Sequence, residues 1–235
     1  MSRALVEMFS EKFLAENLAF RGGTALHKLH LAPASRYSED LDFVQISVGP
    51  IGSVMDAIHK ALDAFLGKPT TKRKQASVVL LYRMASEIPP IVNLRLKIEV
   101  NTREHFTVIG FEKRPFEISS RWFSGSCELT TYDLNELLGT KLRALYQRRK
   151  GRDLFDLWFA LTRGGAKSHR VVEVFQRYME ASGLTITREK FRRNLSLKMN
   201  DHDFLHDTDG LLLPGVVYNP LVAYHFVNDN VLSLL

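Results

Sequence analysis

Cysteine is nearly missing from this chain: Cys127 stands alone among 235 residues. An intramolecular disulfide and a multi-cysteine metal site are thereby excluded, which fits a reducing compartment. No stretch approaches the ~18 consecutive apolar residues of a membrane span. The first residues, MSRALVEMFSEKF, lack the continuous apolar core of a secretion signal. Together these gaps predict a cytoplasmic protein with no membrane partner. Internal repeats and low-complexity segments are absent too. No Gly-Lys-Ser/Thr follows the paired glycines Gly22 and Gly23, so there is no P-loop. G-x-G-x-x-G and H-E-x-x-H are missing as well, which removes the dinucleotide fingerprint and the common zinc-protease signature.

What remains is an ordinary globular composition. The hydrophobic fraction of 45% and charged fraction of 25% allow a sizeable core. Lysine and arginine number 32 against 26 acidic residues, a net charge of +6, which fits a polyanionic partner. The excess gathers in runs: KPTTKRKQ at 68–75, QRRKGR at 147–152, and Arg188, Lys190, Arg192 and Arg193. Such runs suit the phosphates of an RNA, although solvated surface faces have the same composition.

Periodicity changes character along the chain. Leu5, Met8, Phe9 and Phe13 recur at helical spacing, Thr24–Leu31 reads as a helix stopped at Pro33, and Val54–Leu66 as another. Strands are expected at 40–46, 78–84 and 94–100, with weaker ones near 114–118 and 126–129. After Asp133 only helices are expected, over 133–147, 152–163, 168–182, 187–199 and 219–233. The reading is therefore an α+β protein: a mixed-sheet core over 1–131, then an α-helical domain over 132–235.

The chemistry centres on Asp40 and Asp42. Two residues apart on a strand, they share one face about 6.5–7 Å from each other, while Leu41 and Phe43 take the other face. Both carboxylates can then converge on hard cations, whereas adjacent aspartates would point to opposite sides. A bare Asp-x-Asp also occurs on exposed strands, so the setting matters. LRLKIEV supplies it: Leu94, Leu96, Ile98 and Val100 form an apolar face, and Glu99 offers a third carboxylate with Lys97 beside it. Upstream, Gly22 and Gly23 permit close backbone approach by a phosphate at the start of a helix. Downstream, Lys141 could neutralise phosphate charge. Asp153 and Asp156 share one side of a helix whose core stripe is Leu154, Leu157, Trp158 and Leu161.

Taken in order, GGTALHKL, RYSEDLDF, LKIEV and KLRALYQRRKGRDLFDL resemble the AbiEii/MenT-type nucleotidyltransferase toxins of the polymerase-β-like nucleotidyltransferase superfamily. The resemblance runs from about residue 20 to 160. It implies a polymerase-β-like core with a helical C-terminal domain, and transfer of a nucleoside monophosphate from an NTP to RNA, the tRNA 3′ end above all. It further implies Mg²⁺ or Mn²⁺ held by Asp40, Asp42 and Glu99, with Lys141 and Asp153 contributed to the site by the helical domain. Gly22, Gly23, Thr24, Arg36, Ser38 and Arg152 are the implied nucleotide-binding residues, and a cognate antitoxin is an implied partner. Two other readings use similar residues. A small-molecule nucleotidyltransferase of the antibiotic-modifying type fits the acidic set but not the basic balance. A two-metal nuclease would more often carry Glu-x-Lys on its strand, where this chain has Lys97-Ile98-Glu99.

Overall fold

The computed structural model describes all 235 residues and divides the chain into two compact units. One unit takes Met1–Ala25 and Glu39–Tyr132; the other takes Leu26–Ser38 and Asp133–Leu235. The division assigns 26–38 to the helical unit, where the sequence reading had placed the segment in the first domain. Backbone pairing explains this: Tyr37 N–H donates to Leu211 O at 2.8 Å and Leu213 N–H to Ser35 O at 3.0 Å.

In the first unit, α1 (Ser2–Ser10) and α2 (Lys12–Asn17) lead to β1 (Leu18–Arg21) and the short α3 (Gly22–Ala25). After the excursion, β2 (Asp40–Gln45), α4 (Gly52–Leu66), β3 (Thr70–Arg73), β4 (Ser77–Ala85), β5 (Asn93–Asn101), β6 (Phe111–Ser119) and β7 (Ser124–Tyr132) follow. The seven strands form one mixed sheet in the order β3-β4-β5-β2-β1-β7-β6. β2 lies parallel to β5 and antiparallel to β1, so it occupies the centre. Alternation dictates the layers. Leu41, Phe43, Leu80, Tyr82, Leu96, Ile98 and Val100 are buried, and so are Leu5, Met8 and Phe9 of α1 and Val54, Ile58 and Leu62 of α4. Phe9, Phe20 and Phe43 meet in this core, Phe43 lying 5.9 Å from Phe9 and 5.3 Å from Phe20 between ring centroids. Removing such apolar surface from water contributes roughly 25 cal/mol per Å². The intervening residues of β2 and β5 are left on a half-exposed polar face.

The second unit is helical: α5 (Leu134–Gln147), α6 (Gly151–Arg163), α7 (Ser168–Glu180), α8 (Arg188–Lys198), α9 (His202–Leu205) and α10 (Pro220–Asn230). Side-chain caps open several of these helices, with Asp133, Thr187 and Asn219 each accepting from a first-turn N–H and Pro220 standing at the start of α10. The helix expected over 24–31 continues past α3 as a π-helix, Leu26–His30. No helix is long and apolar enough to cross a membrane.

Candidate functional site

Asp40 and Asp42 do share the polar face of β2, half-exposed, with Leu41 and Phe43 buried between and beyond them. The parallel register sets Asp40 opposite Lys97 and Asp42 opposite Glu99. Lys97 Nζ donates to Asp40 Oδ2 at 2.7 Å and lies 3.3 Å from Glu99 Oε2. Partial burial alone would lower the Lys97 pKa, but the bond and charge of Asp40, with Asp42 and Glu99 near, raise it above the usual lysine range.

Behind the aspartates lies the start of α3. Gly22 has φ of +80°, and a Cβ there would fall 2.5 Å from Asp42 Oδ2. Only glycine therefore lets the Asp42 carboxylate pack on this backbone. The Thr24 hydroxyl donates to the carbonyl oxygen of Asp40 at 2.5 Å and is buried. Thr24, an expected nucleotide-binding residue, thus fastens the helix start to the strand that carries the carboxylates.

Glu99 lies beside Asp42 on this face. As the side chains stand, no three His, Cys, Asp or Glu gather closely enough to hold a metal ion. Glu99 Oε1 accepts from Lys74 Nζ at 2.8 Å and Ser77 Oγ at 2.7 Å. Burial would raise its pKa, yet Lys74, Ser77 and Lys97 hold it below the ordinary glutamate value. The aspartate pair still fits a hard divalent cation, which commonly takes one or two carboxylates and completes its shell with water and phosphate oxygens. Arg21, opposite Asp42 on β1, joins this face and pairs with Glu104 at 2.6 Å. Nothing in the sequence pattern singled it out; the register alone places it.

The helical unit holds a buried charge cluster. Asp153 and Asp156, on α6, have no exposed surface. Lys141 Nζ, on α5, lies 3.1 Å from Asp153 Oδ1 and 2.9 Å from Asp156 Oδ2. Arg148 grips Asp153 with two donors at 2.7 and 2.8 Å. Arg36 grips Asp156 with two more, both at 2.7 Å, and His27 Nε2 lies 2.9 Å from the same carboxylate. Burial would raise both carboxyl pKa values. Lys141 and Arg148 nevertheless hold Asp153 below the usual range, and Lys141, Arg36 and His27 hold Asp156 well below it.

This cluster takes in three of the expected residues. Asp153 and Asp156 do not lie outside the core stripe of α6; they are interior, because four charged or polar partners, Lys141, Arg148, Arg36 and His27, converge on them. Asp153 is an anchor for Lys141 and Arg148 with no face left toward solvent. Arg36, expected to bind nucleotide, is itself buried and committed to Asp156 and the Tyr37 carbonyl. The spacing of Asp153 and Asp156 was the available signal for a paired site; Arg36 and His27, more than a hundred residues away, gave none. Of the remaining nucleotide-binding candidates, Ser38 is half-exposed, and Arg152 donates its backbone N–H to Asp207 Oδ2 at 3.1 Å.

Comparison with known proteins follows the same lines. The family model of the nucleotidyl transferase AbiEii toxin, type IV toxin–antitoxin system, matches residues 3–214. Among solved structures, the fold is similar to MenT4, a nucleotidyltransferase toxin from Mycobacterium tuberculosis, at 18% identity and a TM-score of 0.67, covering 99% of this chain and 82% of that one. It is also similar to JHP933 from Helicobacter pylori, at 16% identity and a TM-score of 0.57, covering 97% and 85%. No curated protein sequence matches. Membership of a type IV toxin–antitoxin family implies an NTP substrate and an antitoxin partner. With a match over most of its length and a mixed sheet that presents paired aspartates beside a glycine-led helix, this chain belongs to the AbiEii family of toxins and is a nucleotidyltransferase.

Proposed function

We propose that this chain transfers a nucleoside monophosphate from an NTP to the 3′ end of RNA, with tRNA as the acceptor, and that it acts as a toxin by stopping translation. The observation that carries the reading is the seating of the Asp42 carboxylate against the positive-φ backbone of Gly22, with Asp40 on the same face of its strand.

In this reading Asp40 and Asp42 hold Mg²⁺ or Mn²⁺, which when bound supplies Lewis-acid stabilisation of the phosphoryl oxygens. Gly22 and Gly23 let the triphosphate approach the backbone beside them. The RNA 3′-oxygen forms a bond to the α-phosphorus while the bond from that phosphorus to the bridging oxygen breaks. Pyrophosphate departs and the hydroxyl proton is released. Lys97, bonded to Asp40 Oδ2, keeps that carboxylate aimed, and Thr24 fixes the backbone from which Asp40 projects.

Incubation with each labelled NTP, total RNA and Mg²⁺ tests the proposal. Label should enter RNA and lengthen it with one NTP favoured, and D40A should label nothing while unfolding at the wild-type denaturant midpoint. RNA shortened without NTP would point to the nuclease instead, and label confined to small molecules to the antibiotic-type transferase.

A further inference from the structure

Next to the aspartate pair, the polar face of the sheet carries arginines that the nucleotidyltransferase chemistry does not use. The register of β4 and β5 sets Arg83 directly opposite Arg95. Like charges facing each other across antiparallel strands are destabilising, and native sheets ordinarily separate them. Here neither is neutralised at close range. Arg83 Nη1 donates to the hydroxyl of Thr70 at 3.1 Å. Arg95, its side chain 74% exposed, has only Glu39, itself exposed, at 3.9 Å.

Register adds two further cations, both on the same side of the Arg83–Arg95 pair along the strands. Lys97 follows Arg95 two residues along β5 and touches Asp40. Lys72, on edge strand β3, faces Val79, which faces Glu99. It is exposed. All of these side chains therefore fall on the face that bears Asp40 and Asp42. Arg83 lies two strands from Asp40, about 10 Å across the sheet at ~4.8 Å per strand. Lys72 lies at the level of Asp42 and Glu99, four residues along the sheet from Arg83 and Arg95, so the cations form a band and not a single row. Such a band can follow one phosphate backbone leading away from the carboxylates, since nonspecific single-strand binding uses a positive track along the backbone.

We infer that Lys72, Arg83 and Arg95 form a docking track for the single-stranded segment of RNA just upstream of the reacting 3′ end. The inference rests on the proposed transfer to RNA, because that reading puts the strand's terminus at Asp40 and Asp42. It adds which surface holds the acceptor and through which chemical group: the phosphates, not the bases. The track thus binds strands of differing sequence with similar affinity.

Binding of a short fluorescent single-stranded RNA to the full chain, measured by anisotropy over about 50–200 mM salt, provides the test. The K72A/R83A/R95A variant should bind more weakly. Its plot of log affinity against log salt should be less steep by about 2, at ~0.7 per lost phosphate contact on a single strand. R83K/R95K should retain the wild-type slope, and NTP affinity should be the same in all three proteins. An unchanged slope in K72A/R83A/R95A overturns the track, and so does a parallel loss of NTP affinity, which would assign these cations to the small substrate. The two readings also separate. Wild type that binds this RNA with the expected slope but labels none refutes the transfer reaction and leaves the track standing. Wild type that labels RNA, beside a triple variant that binds and labels equally well, does the reverse.

Discussion

The hydroxyl of Thr24 donates its hydrogen to the carbonyl oxygen of Asp40 across 2.5 Å, sixteen residues along the chain. This bond joins the two ends of the glycine–aspartate segment, so helix start and carboxylate strand are held as one piece. T24V keeps the shape and removes the donor. It should lose about 0.5–1.5 kcal/mol of stability with the hydrogen bond, and turnover should fall at least tenfold as Asp40 loses its fixed backbone. T24S should restore both. Urea unfolding and NMP transfer measured side by side decide it, and a T24V protein with wild-type turnover would reduce Thr24 to packing alone.

Gly22 makes a second demand on the same piece. Alanine there meets both a positive φ and the Asp42 carboxylate, at 2.5 Å from its Cβ. Backbone strain of this kind costs roughly 1–3 kcal/mol. The larger consequence should be displacement of Asp42, because a carboxylate gives way more easily than a sheet strand. G22A is expected to bind Mn²⁺ more weakly than wild type by tenfold or more, read by titration of the cation, while remaining folded. Equal Mn²⁺ affinity in the two proteins would separate Gly22 from the cation site.

How far these features are legible beforehand depends on the range of the interaction that makes them. Asp40 and Asp42 sharing a face follows from strand alternation, which is local, and the structure keeps it. The helices after Asp133 follow from apolar spacing and also stand, with ends shifted by a few residues. β3 escapes the reading because TTKR has no apolar alternation; it forms only by pairing with β4. Arg36 and Asp156 are 120 residues apart, and no local pattern signals that a basic residue in the 26–38 segment will be buried against the helical unit. Glu99 has the parity of a metal ligand, while its bonds to Lys74 and Ser77, 25 and 22 residues upstream, leave no local signal.

The buried cluster should behave as a unit of stability. D156N leaves Lys141 and Arg36 without a full counter-charge in the interior, and breaking a buried pair in this way costs about 3–5 kcal/mol. The pH dependence follows from the depressed carboxyl. Its contribution is complete above the ordinary aspartate pKa and is lost as pH falls, because the unfolded state takes up the proton first. Wild-type stability should therefore fall more steeply than that of D156N as acid is added below pH ~4. Chemical denaturation at a series of acidic pH values measures this; matching slopes would mean that Asp156 is not held ionised by its partners.

Lys198 offers the opposite sign. Its ammonium, buried at the end of α5, donates to the carbonyls of Leu145 and Tyr146, and burial lowers its pKa to about 8 from an ordinary 10.5. Below pH 8 the group is charged in both folded and unfolded chains, and the full desolvation cost is carried. Between about 8 and 10.5 the folded chain gives up the proton first, so the unfolded state binds more protons and this group's contribution to stability rises with pH. K198M should be less stable at pH 7 by about 1–3 kcal/mol, since two helix-end carbonyls lose a donor. It should also lack the rise, so the difference between wild type and variant widens from pH 8 to 10. A constant difference across that window would show that Lys198 keeps an ordinary pKa and acts only as a helix cap.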